Sequence, residues 1–231
     1  MRTYQKLTLT GVIVVAIAAV ATTTTTTGVV YAQQQGLFES EDDGFRLQIP
    51  AGWVIDDHDN IAYEGYSEED VALLCPANEA LPGIGGEYNC LAANTTDFIN
   101  IIRVPDLQSV PEFEDIPQTT PITTNDLLAL AIQSLQNGNR TSDIQIQNST
   151  DVDEFRKIVN MTMTRYDDAG TPFNPLDDFS YNMKSLAMFV LSEDRNTGYQ
   201  IFNTMATPNI WNRTEHSPAV QEVFNSFQLV T

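Results

Sequence analysis

The stretch from Gly44 to Trp53, Gly-Phe-Arg-Leu-Gln-Ile-Pro-Ala-Gly-Trp, narrows what this chain can fold into more than any other. Phe45, Leu47 and Ile49 alternate with Arg46 and Gln48, the period of a strand with one dry face and one wet face. Pro50 brings no ladder donor and Gly52 tolerates unusual dihedrals, so the strand ends in a turn. Trp53-Val54-Ile55 then opens a second apolar run. The expectation is a first hairpin, with Trp53 anchoring the core.

Strand patterns continue along the chain. Ile61, Tyr63 and Tyr66 extend a strand after the polar turn Asp56–Asn60. Val71–Leu74 and Tyr88–Ala92 are short apolar runs, read as a pair that brings Cys75 and Cys90 together. Phe98–Val104 is rich in β-branched residues and reads as a buried strand. Four prolines between Pro105 and Pro121 mark a loop or edge excursion. Thr123 or Thr124 can cap a helix through Asn137, with an apolar stripe at Leu128, Ile132 and Leu135, and Gly138 stops it. Lys157–Tyr166 alternates cleanly, Ser185–Leu191 and Tyr199–Ala206 flank a turn at Asp194–Gly198, and Ser217-Pro218 starts a last helix. Strands follow strands with no β-α-β alternation, so the class is α+β, an antiparallel sheet with helices packed on it.

The N-terminus reads as an export signal. Basic Arg2 and Lys6 precede the uncharged, mostly apolar run Leu7–Ala21, and small residues at Val30 and Ala32 suit cleavage after Ala32. The expected organisation is a cleaved segment 1–32 and one domain over 33–231. No cysteine near the cut supports a lipid anchor, and no later run is long and apolar enough to span a membrane. Removing Arg2 and Lys6 leaves nine basic residues against 31 acids, a charge of −22 that repels nucleic acid and anionic lipid. The acids are scattered in pairs, the pattern of a solvated face. In an exported chain the two cysteines, Cys75 and Cys90, are expected to form a disulfide around a Pro- and Gly-rich loop. Sequons at Asn94, Asn139, Asn148, Asn160 and Asn212 are candidate glycan sites where the asparagine is exposed.

Chemistry-bearing clusters are few. Asp56, Asp57, His58 and Asp59 offer three carboxylates and an imidazole to calcium or another divalent cation. Position six from Asp56 is Ile61, where a calcium loop needs glycine, and strand neighbours point to opposite faces, so a solvated turn is the plainer reading. Ser217 beside His216 is better explained as a helix cap than as a nucleophile, since no Gly-x-Ser-x-Gly elbow exists. Gly83-Ile84-Gly85-Gly86 lacks the lysine and helix of a phosphate loop. Asp167-Asp168 and Asp177-Asp178 could pair as acid and base, but nothing in the spacing sets them across a cleft. Tyr199, Phe202 and Trp211 read as core and rim rather than a sugar platform.

The opening Gly-Phe-x-Leu-x-Ile-Pro-x-Gly-Trp resembles the start of the PsbP-like domain, the fold of an extrinsic lumenal subunit of photosystem II. The middle helix over Thr124–Asn137, a strand over Lys184–Leu191, a Gly-Tyr-x-Ile strand over Gly198–Thr207, a helix over Ser217–Asn225 and the closing Ser226-Phe227 are similar to that family's order. The resemblance spans most of Gly36–Thr231. It implies an α/β/α sandwich with a central antiparallel sheet, and a non-catalytic role at a membrane complex, where photosynthetic members help retain calcium and chloride. The export signal, cysteine loop, proline-rich excursion and acidic charge make this chain a secreted, non-photosynthetic relative in that reading.

The expected function is an exported binding or accessory domain for an envelope or membrane-associated protein, not an enzyme. It requires no cofactor, with a divalent cation as a candidate second ligand. A secreted acidic hydrolase using paired carboxylates and a calcium-dependent structural module are the alternatives.

Overall fold

The structure is a computed structural model that describes residues 36–57, 70–82, 88–90, 97–113, 117, 119–137, 141–167, 179–206 and 217–230. These lie in the compact unit Ala32–Thr231. The strands are β1 (Gly36–Ser40), β2 (Phe45–Ile49), β3 (Trp53–Asp57), β4 (Asp70–Pro76), β5 (Leu81–Pro82), β6 (Tyr88–Asn89), β7 (Asp97–Val104), β8 (Thr141–Asp151), β9 (Arg156–Asp167), β10 (Phe179–Leu191), β11 (Gly198–Ala206) and β12 (Gln228–Leu229). The helices are α1 (Thr124–Asn137) and α2 (Ser217–Ser226). Seven strands form the main sheet in the order β3-β4-β7-β11-β10-β9-β8, three form a second sheet β1-β2-β12, and β5 pairs β6. Every pairing among the described residues is antiparallel. The fold is therefore α+β, built on antiparallel sheet with two helices among the described residues.

The opening stretch is not a hairpin. Phe45, Leu47 and Ile49 are buried as the alternation requires, but β2 pairs β1 and β12 while β3 pairs β4. The turn at Pro50–Gly52 hands the chain from one sheet to another, and it is closed by Trp53 N–H on the Pro50 carbonyl at 3.1 Å. Alternation specifies which face of a strand is dry but not which strand lies beside it. The same limit governs the cysteines. Cys75 and Cys90 are bonded, with Cα atoms 5.7 Å apart. Yet β4 pairs β3 and β7, and β6 pairs β5, so the two runs around the cysteines are not ladder partners. The strand expected at Ile61–Tyr66 lies outside the described residues. The proline-rich excursion contains two 3-10 turns, Leu107–Ser109 and Pro111–Phe113, which bury Leu107 and Phe113.

Two apolar clusters form on opposite faces of the main sheet. Along β10, Met188 and Val190 join one cluster, while Ala187, Phe189 and Leu191 join the other. This is the period-two geometry of a strand buried on both faces. The first cluster contains α2, through Val220, Val223 and Phe224, together with Phe45 and Leu47 of the small sheet. The second contains α1, through Leu127, Leu128 and Ala131. α1 starts with a reciprocal cap, in which the Thr123 hydroxyl donates to Asp126 Oδ2 at 2.6 Å and the Asp126 N–H donates back at 3.4 Å. Its close approach to β11 needs Gly198, where a Cβ would meet a Leu127 methyl at 2.9 Å.

Candidate binding pocket

Where β9, β10, β11 and β7 run side by side, Arg156 pairs Val190, Val190 pairs Tyr199, and Tyr199 pairs Arg103. Directly paired residues on neighbouring strands point to one face, so these four side chains form a row across the sheet. They face the α2 side, because Val190 and Tyr199 belong to that cluster. The row floors a cavity of about 700 Å³, within the range of small-ligand sites. Its other walls come from Gly44, from the end of the chain at Gln228–Val230, from Asp153 and Phe155, and from the β10–β11 turn at Ser192–Thr197.

Each wall is held in place by local bonds. The Tyr199 ring packs edge-on against Phe45 and Phe227, with centroids 6.2 and 5.6 Å away. Its hydroxyl donates to the Asp43 carbonyl at 2.5 Å. Gly44 makes this approach possible, since its φ is +72° and a Cβ there would stand 3.2 Å from the phenol oxygen. Burial pushes the Tyr199 phenol up from its ordinary value. The Arg103 charge and its side-chain hydrogen bond to the phenol pull the other way, and Asp43 adds to the rise. In the β10–β11 turn, the Ser192 hydroxyl donates to Asp194 Oδ1 at 2.6 Å and the Asn196 N–H to the same oxygen at 3.0 Å. These bonds hold the Asp194 carboxyl below its ordinary value. Arg195 ties the turn to the neighbouring loops, donating to the Ile122 carbonyl at 2.7 Å and lying 4.9 Å from the Phe155 ring centroid.

The arginines of the row are not equivalent. Arg156 stands 3.9 Å from Asp153 and a third of its side chain is exposed. Arg103 makes no salt bridge among the described residues, and its Nε is buried without a hydrogen-bond partner. Arg46 shows what that edge of a guanidinium ordinarily does. Its Nε and Nη2 both donate to Gln228 Oε1, at 3.0 and 2.8 Å.

The residues singled out from sequence fall elsewhere. Asp56 is 6% exposed, and its Oδ2 accepts the Cys90 N–H at 3.0 Å. It thereby ties β3 to the disulfide. Asp57 ends β3, while His58 and Asp59 lie outside the described residues. Among the described residues no three His, Cys, Asp or Glu side chains gather as a metal site. Asp167 ends β9, and Ser217 opens α2 as a helix start. Asp168, Asp177, Asp178, Gly83–Gly86, Trp211 and His216 are outside the described residues. Phe202 is buried in the α1-side cluster, and Tyr199 in the other. Of the sequons, Asn148 and Asn160 are exposed and directly paired across β8 and β9, while Asn94, Asn139 and Asn212 are outside the described residues.

Arg103 was missed, though a signal for it exists. In Phe98–Val104 it shares the parity of Ile99 and Ile101, both fully buried. A charge on the dry side of a strand is the kind of exception that marks a site. The other half of the site was not legible, because nothing in sequence places Arg156 three strands away on the same row.

No family model and no curated protein matches the chain. Solved structures do match. The Ran-binding protein Mog1p of Saccharomyces cerevisiae is 9% identical with a TM-score of 0.49, covering 86% of this chain and 97% of that one. A point mutant of Mog1 is 10% identical with a TM-score of 0.48 and the same coverages. The assignment to the PsbP-like family is corrected accordingly, and the photosystem association it implied goes with it. The motif behind it encodes a strand, a Pro-Gly turn and an aromatic anchor. That is local geometry, which any antiparallel sheet with such a turn requires equally. No helix among the described residues is long and apolar enough to cross a membrane.

Proposed function

We propose that this chain is an exported, non-catalytic binding domain that associates with an envelope or membrane protein complex, and that the cavity over the Arg156–Val190–Tyr199–Arg103 row is its binding site. The row is the observation that carries the reading. It fixes two guanidinium groups at the ends of a row that crosses four neighbouring strands, around an apolar and phenolic floor. Preorganised charge on regular elements is what selective binding needs. The Cys75–Cys90 disulfide supports an oxidising compartment, reached by cleavage after Ala32 to leave one domain over 33–231. The two clusters on opposite faces of the main sheet support an α/β/α sandwich, with α1 on one side and α2 on the other. A divalent cation at Asp56–Asp59 is a second, separate ligand in this proposal.

The test is affinity capture with residues 33–231 from the native cell envelope, with and without EDTA, beside the Arg103→Gln variant. One stoichiometric partner, retained by the parent and lost by the variant, is the expected result. Loss in EDTA would add the cation. Capture that ignores Arg103 would remove the cavity from the binding mechanism, and no capture at all would remove the protein partner.

A further inference from the structure

We propose that the edge strand β8 carries an N-linked glycan at Asn148, that Asn160 beside it stays bare, and that this glycan keeps the edge of the main sheet from pairing with a second copy of the chain. The inference rests on export of the chain, as proposed above, and is independent of the cavity.

The main sheet ends in two unlike edges. β3 is 5 residues long, Trp53–Asp56 are buried, and the disulfide holds Cys90 where its N–H donates to Asp56. A short, covered edge does not recruit other strands. β8 is 11 residues long, and Gln145–Asp151 are all exposed. Among the described residues its ladder partner is β9 alone, so its outer backbone groups face away from the sheet. The run Ile144–Thr150 holds no charge and no proline. Such a window invites pairing with another chain, and lysine or proline is what ordinarily blocks it. Two register shifts bend β8, at Ser142/Gln145 and Ile146/Asn148, but Asn148–Asp151 beyond them pair regularly. What that regular stretch contains is a sequon, Asn148-Ser149-Thr150.

Asn148 and Asn160 are both exposed and stand opposite each other. The Cβ atoms of direct cross-strand neighbours lie about 5 Å apart, so a glycan on one fills the space of the other. Position in the sheet decides between them. Asn160-Met161-Thr162 lies in β9, which pairs with β8 on one side and β10 on the other. Met161 is fully buried, and the Thr162 hydroxyl accepts from Gln147 Nε2 at 3.1 Å. Modifying Asn160 would require its sequon to leave the ladder on both sides. Asn148 instead follows the register shift that leaves Gln147 unopposed, and such a bulge loosens a strand locally. Ser149 and Thr150 are exposed, and the Asn148 amide makes no hydrogen bond among the described residues. The donor is an oligosaccharide carried on a lipid phosphate. Asn148 Nδ2 bonds to the sugar C1 as the C1–O bond to phosphate breaks. The lipid phosphate leaves with that electron pair, and the amide gives one proton to the transferase. The product is a bulky, hydrated group on the edge strand.

The experiment purifies the chain from its own cells and digests it with trypsin, which separates the two sequons into Thr141–Arg156 and Ile158–Arg165. Mass spectrometry should find sugar mass on Thr141–Arg156, the plain mass for Ile158–Arg165, and a chain that starts at Gln33. Sedimentation velocity reads the edge. Asn148→Gln should lose the sugar, keep the urea midpoint of the parent, and self-associate at a concentration at least about tenfold lower. Thr150→Ala, which removes the sequon and keeps the asparagine, should do the same. Asn148→Lys also loses the sugar but sets a charge on the edge, and it should stay monomeric, as should Asn160→Gln. A plain Thr141–Arg156 in a chain that starts at Gln33 would overturn this inference alone and leave export standing. A plain Thr141–Arg156 in a chain that still starts at Met1 would take export down with it. Sugar on Ile158–Arg165 would overturn the choice of Asn148. Asn148→Gln and Thr150→Ala as monomeric as the parent would overturn the shielding role. Sugar at Asn148 without any protein capture would leave this inference standing and remove the binding partner.

Discussion

Two adjacent rows cross the main sheet on opposite faces, and each carries a cation into the interior. On the α2 face the row is Arg156–Val190–Tyr199–Arg103; on the α1 face it is Lys157–Phe189–Gln200–Ile102. Lys157 is 4% exposed and forms a salt bridge with Asp151, its direct neighbour on the edge strand β8. The fold itself supplies the counter-charge, while the Gln200–Ile102 end of the row lines a smaller cavity of about 390 Å³ beside α1. Arg103 has no acid across its strand; Tyr199 stands there, and a cavity opens above. Buried cations need partners. For Lys157 the fold provides an acid; for Arg103 it provides the neutral Tyr199 phenol at the edge of the larger cavity.

The largest expected effect tests whether the α1 face is closed core. Phe189→Ala should cost about 4 kcal/mol, read as a shift in the urea midpoint, because Phe189 is fully buried and packs perpendicular to Phe202 at 5.8 Å. A cost under half of that would mean that this face relaxes easily and is not the tighter of the two.

The two cations should then respond with opposite signs. Asp151→Asn leaves the Lys157 ammonium uncompensated and should destabilise by about 1 kcal/mol, held down because Asp151 itself is largely solvated. Arg103→Met removes a half-buried guanidinium whose Nε donor is unmet and should stabilise the unliganded protein by about 1 kcal/mol while weakening binding in the cavity. A site that gains stability when its function is removed is a known signature of binding machinery. If both substitutions destabilise alike, Arg103 is a structural residue and the contrast fails.

The smallest effect is a pH dependence. Burial raises the Tyr199 phenol above its ordinary value near 10, so the folded state favours the protonated form. This contribution is fully present below pH 10 and is lost as pH rises from there through the folded value. Urea midpoints measured across the alkaline range should fall less steeply in Tyr199→Phe than in the parent. Identical slopes would show that the phenol ionises as freely folded as unfolded.

Much of the fold was legible in particular residues. Val159, Met161 and Met163 are buried as the alternation in β9 requires, and Thr123 with Asp126 caps α1 where the polar cluster before its apolar stripe stands. The β10–β11 hairpin closes over Ser192–Gly198. β1 was missed because Gly36-Leu37-Phe38-Glu39-Ser40 does not alternate apolar with polar, and its partner is the edge of β2. Of the site, the parity of Arg103 was readable, but its neighbours were not.

What this sequence determined by itself is local: period-two burial, caps, turns and a cysteine pair, each set by interactions among residues a few positions apart. What only the tertiary structure decided is adjacency. Pairing sent β2 and β3 to different sheets, and it brought Arg156, Val190, Tyr199 and Arg103 into one row although up to 96 positions separate them in the chain. The physical reason is that hydrogen-bonded ladders are nearly indifferent to sequence, so strand neighbours are chosen by the joint packing of both faces. A site that exists only across such neighbours therefore comes into being with the packed sheet.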